Sequence, residues 1–195
     1  MAKSREQVQQ LGFWDTEVSE TPHDKIQIWA YENADYIFRE VCPDLFEGGW
    51  REGDVIRRGF DGSLTVGPRA KQFAEQNQRP LPRVWKKEIE PVLKRRSGYQ
   101  DRNEQLVGYA DLIFRTQTPI VTIIDDNDTI GIEWEHGPSL LLEVKSKMPT
   151  LGELMRQLQL YRTGFNGKLI VVSPDDRYAS ILAEQEIHFI KCPDV

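Results

Sequence analysis

The apolar residues between positions 24 and 41 recur at intervals that place them on one face of a helix. These positions are Ile26, Trp29, Ala30, Ile37 and Phe38. Asp24 is a suitable N-cap, and Pro43 would stop a helix that ends at about Val41. The pattern therefore predicts one helix from Asp24 to about Val41, with its apolar face in the core.

Glycine and turn residues dominate the segment that follows. Residues 43–67 predict two short strands around a tight turn, and residues 68–78 predict a short helix. The polar, proline-containing stretch 76–82 has the composition of a linker. We therefore predict an N-terminal helical extension over residues 1–80, packed on a core domain of residues 81–195.

The core domain is expected to begin with a helix. Pro82 is a favourable first residue of a helix, and Pro91 would kink or split that helix in its interior. Its apolar positions are Val84, Trp85, Ile89, Val92 and Leu93. Several basic residues lie between them, so this helix would carry a charged face.

Short apolar runs separated by turn residues predict a series of strands after residue 103. We expect strands over residues 104–115, 119–124, 129–135 and 139–147, with the middle two forming a hairpin. His136 follows the hairpin, and it is the only histidine near the residues that are considered below as a candidate site, Asp111, Glu143 and Lys145. We expect it to be a turn residue.

A helix, a strand, a second helix and a final strand complete the predicted fold. Thr150 and Glu153 form a capping-box sequence, which marks the start of the first helix. A strand over 168–172, a helix over 178–185 and a strand over 187–190 follow. This order implies a parallel pair of strands with a right-handed crossover, so we predict an α/β fold with a mixed central sheet flanked by helices.

Glu143 and Lys145 follow the most apolar strand of the chain. Because side chains alternate along a strand, they point to one side, and Val144 points to the other. A carboxylate and an ammonium at the end of a buried strand are costly unless they pair, bind a metal or take part in chemistry. The alternative is a strand that simply runs out into solvent.

Two more motifs accompany this pair. Gly108-x-x-Asp111 precedes it, and Gln157-x-x-x-Tyr161 follows it on the predicted helix. The order Gly-x-x-Asp, Glu-x-Lys, Gln-x-x-x-Tyr resembles the PD-(D/E)XK nuclease superfamily, and within it the RecB-like branch. The resemblance covers roughly residues 83–195 and implies a restriction-endonuclease-like sheet.

The resemblance implies metal-dependent hydrolysis of phosphodiester bonds in DNA. Asp111 and Glu143 would hold Mg²⁺, which Mn²⁺ should replace, and the backbone carbonyl of Val144 would be a further ligand. Lys145 would orient and polarise the attacking water.

Four further residues have two interpretations each. In the resembled branch, Gln157 and Tyr161 line the site and hold the substrate or the lysine, but Tyr161 could equally be a core residue. Either Glu88 or Glu90 could complete the metal site, and each could equally be a surface carboxylate.

The run of acidic residues at 125–128 is a second carboxylate cluster. It lacks the glycine and glutamate positions of an EF-hand loop, and Asp and Asn are ordinary residues of a hairpin turn. If Asp125, Asp126 or Asp128 were the metal ligand instead, the assignment of the motif strand at Asp111 would be wrong.

Composition restricts how such a protein would contact DNA. Its 195 residues can form a core without disulfides, and its net charge of −6 argues against non-specific coating of nucleic acid. A local basic groove is still allowed, although the basic cluster could equally be a solvated helix face. The expected DNA contacts are Lys86, Lys87, Lys94, Arg95, Arg96, Arg102, Arg156 and Arg162.

Cysteine usage and the apolar runs predict the cellular setting. Cys42 and Cys192 lack the spacing of a zinc or iron–sulfur site. The first ten residues lack an apolar signal segment, and the longest apolar runs fall far short of a membrane span. We expect a cytoplasmic protein without a membrane partner, and the sequence leaves a homo-oligomer or partner proteins open.

The predicted function is therefore Mg²⁺-dependent cleavage of DNA. The alternative is a nucleic-acid-binding, structural or interaction protein that has a nuclease-like fold and no cleavage activity. The complete set of Asp111, Glu143 and Lys145 favours the enzyme, because a protein that cuts nothing has no need for three costly polar residues.

Overall fold

A mixed β-sheet with helices on both sides forms the body of the molecule. The computed structural model describes residues 20–55, 57–58, 64–65, 68–96, 104–123 and 129–194. Its helices are α1 (Pro22–Glu32), α2 (Ala34–Val41), α3 (Pro68–Gln76), α4 (Leu151–Arg162) and α5 (Ala179–Glu184), with 3-10 turns at Pro43–Leu45 and Glu52–Asp54. Its strands are β1 (Arg57–Arg58), β2 (Leu64–Thr65), β3 (Arg83–Ile89), β4 (Val92–Arg96), β5 (Glu104–Tyr109), β6 (Leu112–Ile123), β7 (Ile130–His136), β8 (Leu140–Val144), β9 (Lys168–Ser173) and β10 (Ile187–Lys191).

The main sheet has the strand order β10-β9-β8-β6-β3, and β7 pairs with the second half of β6. Strands β8, β9 and β10 are parallel, whereas β3, β7 and β8 each run antiparallel to β6. The predicted α/β fold with a mixed sheet is confirmed, and so are the hairpin and the parallel pair at the C-terminal end. The hairpin β1–β2 and the pair β4–β5 form two small separate sheets.

The single helix predicted between Asp24 and Val41 is instead two helices. Thr21 is the N-cap of α1: the Asp24 N–H donates to Thr21 Oγ1 at 3.2 Å, and Asp24 closes the capping box by accepting from the Thr21 N–H at 3.0 Å. The break between α1 and α2 comes at Asn33, whose side chain donates to the carbonyl of Trp29 at 2.8 Å. A short amide side chain that bonds to nearby backbone offers the chain an alternative to the continuing helix.

The helix predicted from Pro82 is wrong, because residues 83–96 form the two strands β3 and β4. Strand β3 pairs with β6 and strand β4 with β5, so the two pairs make one long hairpin with a bend between them. At the bend, the Glu90 N–H donates to the Asp111 carbonyl at 2.9 Å, and Glu90 has a φ of 48°. That left-handed conformation is uncommon for a residue with a Cβ. Pairing with a distant strand outweighed the local helical pattern.

The predicted strand 104–115 is divided by the same bend. Strand β5 ends at Tyr109, and β6 starts at Leu112 and continues without interruption to Ile123. The predicted strands 104–115 and 119–124 therefore share β6. Asp111 lies in the short step between β5 and β6, immediately before a strand of the main sheet.

Two apolar layers cover the two sides of the sheet. Leu140, Leu142 and Val144 face α1 and α2, whereas Leu141 faces α4 and α5. The alternation predicted for this strand is confirmed, and the helices before residue 80 share a core cluster with the sheet. None of the helices among the described residues is long and apolar enough to cross a membrane.

Candidate active site

Asp111, which immediately precedes β6, lies level with Glu143 of the neighbouring strand β8. Strand β6 pairs with β8 through Leu112 opposite Leu142 and Ile113 opposite Leu141. One step further along the same register, Asp111 comes opposite Glu143. Since the sequence separates these residues by the whole β6–β7 hairpin, the sheet brings together two motifs that are far apart in the chain.

Three donors surround the carboxylate of Glu143, whose side chain is only 3% exposed. Lys145 Nζ and Gln157 Nε2 both donate to Oε1, the amide at 2.7 Å. The hydroxyl of Tyr161 lies 2.9 Å from Oε2 and accepts a hydrogen bond from Gln157 at 2.6 Å. Both oxygens of a buried carboxylate are thereby satisfied, as burial of a charge requires.

Helix α4 presents Gln157 and Tyr161 to Glu143 because the two residues are one turn apart. The capping box of Thr150 and Glu153 fixes where this helix begins, as the sequence predicts. Leu154 and Leu158 are fully buried against the sheet and fix the rotation of the helix. The polar pair therefore lies over the end of β8.

Tyr161 also connects the site to the motif glycine. Its hydroxyl lies 2.8 Å from the carbonyl oxygen of Tyr109. A Cβ added at Gly108 would meet the Tyr161 ring at 3.6 Å, which is an ordinary van der Waals contact. The packing against Tyr161 therefore does not by itself require glycine at position 108.

Lys145 lies one residue beyond β8 and remains partly accessible. Its backbone N–H donates to the carbonyl of Val172 at 2.9 Å, so the chain stays in register with β9 at this point. The side chain is 21% exposed and bonds to Glu143. Of the pair, the ammonium is the group that solvent or a ligand can reach.

Asp111 is held by groups from two parts of the chain. The backbone N–H of Val144 donates to Asp111 Oδ2 at 2.6 Å, and His23 Nε2 lies 3.4 Å from Oδ1. Gln27 donates to the Asp111 carbonyl at 3.0 Å. The helical extension thus contributes two side chains to the site.

His23 and Gln27 were missed by the sequence analysis, which expected His136 to be the only histidine near the site. They lie four residues apart on α1 and so share a face, and Pro22 at the first position signals the helix start. That spacing could have shown that His23 and Gln27 share one helix face. It could not have shown that this face contacts Asp111, because the contact depends on how α1 packs in the folded protein. His136 ends β7, and its ring lies 5.9 Å from that of Trp85.

The electrostatics of the site follow from burial and from two facing carboxylates. Burial raises the pKa of Glu143, and the charge of Asp111 raises it further, while Lys145 and Tyr161 oppose the change. Burial and the charge of Glu143 raise the pKa of the Tyr161 hydroxyl, which therefore remains a donor. The hydrogen bond with Asp111 raises the pKa of His23, against a lowering effect of burial.

Asp111 and Glu143 suit a hard divalent cation. Mg²⁺ is commonly held by one or two carboxylates together with water and substrate oxygens. The charge of Asp111 raises the pKa of Glu143, and a cation in contact with both would offset that effect. Among the described residues, no group of three or more His, Cys, Asp or Glu side chains is arranged to hold a metal ion.

The two upstream glutamates differ in their surroundings. The carboxylate of Glu88 accepts from Arg115 Nε at 3.1 Å and lies 3.3 Å from Lys86 Nζ. Glu90 is exposed at the bend, where its backbone rather than its carboxylate contacts Asp111. Asp125, Asp126 and Asp128 lie outside the described residues.

The basic residues predicted to contact DNA do not form one helix face. Lys86 and Lys87 are adjacent on β3 and point to opposite sides; Lys87 donates to the Tyr31 carbonyl at 2.6 Å, on the side of α1 and α2. Lys94 is exposed on β4. The side chains of Arg95 and Arg96, and all of Arg102, fall outside the described part of the chain.

The two arginines of α4 do not accompany Gln157 and Tyr161 into the site. Arg156 is exposed, whereas Arg162 donates to the Gln185 carbonyl at 2.5 Å, toward the α5–β10 turn. The described site therefore combines the carboxylates of Asp111 and Glu143, a partly accessible ammonium and two neutral side chains. No family model, no curated protein and no solved structure matches the chain.

Proposed function

We propose that the protein is a Mg²⁺-dependent deoxyribonuclease of the PD-(D/E)XK type, RecB-like, with a restriction-endonuclease-like core. The observation that carries this proposal is the arrangement around Glu143. Lys145, Gln157 and Tyr161 all bond to its carboxylate, and Asp111 lies level with it just before the neighbouring strand β6. Three short motifs from distant parts of the sequence would have little reason to meet in one cluster by accident.

Asp111 and Glu143 would hold the cation, with the Val144 carbonyl as the further ligand that the resemblance implies. A bound divalent cation would supply positive charge against the negative charge that develops on the phosphoryl oxygens. Glu143 also holds the Lys145 ammonium in place, and Gln157 and Tyr161 fix the carboxylate. Lys145 would then orient water at the accessible side of the pair.

The second candidate is a protein of the same fold that binds nucleic acid or a partner without cutting. One observation favours it: both oxygens of Glu143 already accept bonds from protein donors. A carboxylate satisfied in this way can be structural. The two candidates differ in whether phosphodiester bonds break in the presence of a divalent cation.

The test is incubation of the protein with linear and with circular DNA in Mg²⁺, in Mn²⁺ and in EDTA. We expect cleavage with either cation and none in EDTA. Lys145→Ala should abolish most of the activity, whereas Lys191→Ala should leave it unchanged because Lys191 pairs with Asp176 at the far edge of the sheet.

Three results would argue against the enzyme. The first is no cleavage of either DNA form in either cation by protein that unfolds cooperatively. The second is cleavage that persists in EDTA. The third is equal activity of Lys145→Ala and the unmodified protein, which would indicate a contaminating nuclease.

A further inference from the structure

One stretch of the central sheet presents basic and aromatic side chains beside two helices. It lies between α4, which covers β8 and β9, and α3, which packs at the far end of β6 and β7. We call it the open face. It is made by Arg83, Trp85 and Lys86 of β3, Arg115 of β6, and Trp134 and His136 of β7.

The pairing register puts these residues on one side of the sheet. Lys86 is opposite Arg115, Arg83 and His136 are both opposite Gln117, and Trp134 is opposite Pro119. Directly opposed residues of an antiparallel ladder point to the same side. Trp85 is the extra residue of an irregularity between Val84 and Lys86, and its ring lies 5.9 Å from that of His136.

The rings of the open face are accessible. Trp85 is 46% exposed, and the neighbouring His136 is exposed as well. The guanidinium of Arg83 lies 4.0 Å from the centre of the Trp134 ring. A groove of about 450 Å³ opens beside Trp85 and His136, with Arg115, Lys86 and Ser139 in its wall.

The charge of the open face is opposite to that of the whole chain. Lys86 and Arg115 line the groove and both pair with Glu88, its acidic residue, while Arg83 adds a further positive charge beside Trp134. The chain as a whole carries a net charge of −6. An excess of positive charge here suits a polyanion, and flat exposed rings suit unpaired bases.

We propose that the open face binds single-stranded DNA. Bases of a single strand can stack on Trp85 and His136 while Arg115 and Lys86 contact the phosphates. A duplex covers the faces of its bases by its own stacking, so it offers these rings nothing comparable. The surface would be a strand-binding site separate from the Asp111–Glu143 cluster.

The open face lies on the same side of the sheet as Glu143. Arg115 Nη1 donates to Ser139 Oγ at 3.0 Å, and Ser139 precedes Glu143 by four residues along β8, a distance of about 13 Å. A strand that crosses the open face could therefore reach the candidate active site within a few nucleotides. This last step rests on the proposed nuclease function, whereas the binding itself does not.

The experiment measures fluorescence anisotropy of a labelled dT 15-mer with the full chain in EDTA, so that no cleavage is needed. Trp85→Ala should weaken binding by about 5- to 100-fold, the range of one lost base–aromatic stack. Trp85→Phe should retain most of the affinity. Tyr36→Ala is the matched control, since Tyr36 is 48% exposed on α2, on the other side of the sheet.

Affinity for the same dT 15-mer, measured over a series of salt concentrations, tests the proposed contacts between basic side chains and phosphates. Arg115→Ala should lower the slope of log affinity against log salt concentration by about one, whereas Arg177→Ala, on an exposed loop paired with Asp175, should not change it. Urea unfolding midpoints of all variants check that each is folded.

Unchanged affinity of a folded Trp85→Ala variant would overturn the proposal. So would equal loss in Tyr36→Ala, equal or tighter binding of duplex DNA of the same length, or tighter binding of a U 15-mer. Binding is measured without metal and so does not depend on cleavage. An absence of cleavage in the nuclease assay would refute the proposed function, but the binding measurement would still test the open face.

Discussion

Two carboxylate–cation pairs lie on the same side of the central sheet, and they differ in burial and in electrostatics. Glu143 and Lys145 have side chains 3% and 21% exposed, whereas Glu88 and Arg115 have side chains 25% and 38% exposed. Burial and Asp111 raise the pKa of Glu143. Burial alone would also raise the pKa of Glu88, but hydrogen bonds and charge from Arg115 and Lys86 outweigh it and lower the pKa.

The two pairs also differ in the balance of charge around the carboxylate. Around Glu88, two cations surround one carboxylate, so this group of side chains carries one positive charge in excess. Around Glu143, burial and the charge of Asp111 raise the pKa of the carboxylate, and the single cation bonded to it, Lys145, only partly opposes this effect. A bound cation would relieve the destabilised charge of Glu143, so under the proposed function we expect Glu143 rather than Glu88 to be the functional carboxylate.

The largest expected effect separates the two glutamates directly. Glu143→Gln keeps the size of the side chain and removes its charge, so DNA cleavage should fall by at least about 10³-fold and Mn²⁺ affinity should be lost. Glu88→Gln should change cleavage by no more than a few-fold. Cleavage rates and calorimetric Mn²⁺ titrations measure both, and equal losses in the two variants would contradict the comparison.

Removing the cation of the buried pair should separate chemistry from metal binding. Lys145→Ala should lower cleavage by about 10²–10⁴-fold, because the group that orients the water is gone. Mn²⁺ affinity should remain, because an ammonium is not a ligand for the metal. A matched loss of Mn²⁺ affinity in calorimetry would instead assign Lys145 a structural role.

Tyr161→Phe tests how strongly the buried pair depends on its neighbours. The variant removes the hydroxyl beside Glu143 Oε2 and leaves Gln157 without one acceptor, so the free energy of unfolding should fall by about 1–3 kcal/mol. Ser139→Ala removes the hydroxyl that accepts a hydrogen bond from Arg115, the cation paired with Glu88. This change should lower the free energy of unfolding by about 0.5 kcal/mol or less. Urea unfolding at neutral pH compares the two, and a larger loss in Ser139→Ala would reverse the assignment of the stronger network.

The smallest expected effect is the pH dependence of the stability that the pair of Glu88 and Arg115 contributes. The pKa of Glu88 is lowered in the folded protein, so its contribution to stability is full above the unfolded value near 4.3 and is lost as pH falls through the folded pKa. Glu88→Gln should therefore be less stable than the unmodified protein by under about 1 kcal/mol at pH 7. Urea unfolding at pH 7 and pH 3 checks this, and a difference that grows toward pH 3 would have the wrong sign.

Local pattern was sufficient wherever neighbouring residues decide the structure. The continuous apolar run at 140–142 predicted a buried strand, and alternation placed Glu143 and Lys145 on one side of it. The capping box at Thr150 fixed the start of α4, and the spacing of Gln157 and Tyr161 put both on one face. Each of these outcomes depends on contacts within a few residues.

The tertiary structure decided what distant pairing controls. Residues 83–96 read as an interrupted helix, yet they form strands because β6 and β5 supply the hydrogen bonds, and this separates Lys86 from Lys87. Likewise, the sequence showed no reason for His23 and Gln27 to contact Asp111, because that contact needs α1 to pack beside the start of β6. Residue spacing determines which side chains share an element, whereas the pairing and packing of elements determine which side chains meet.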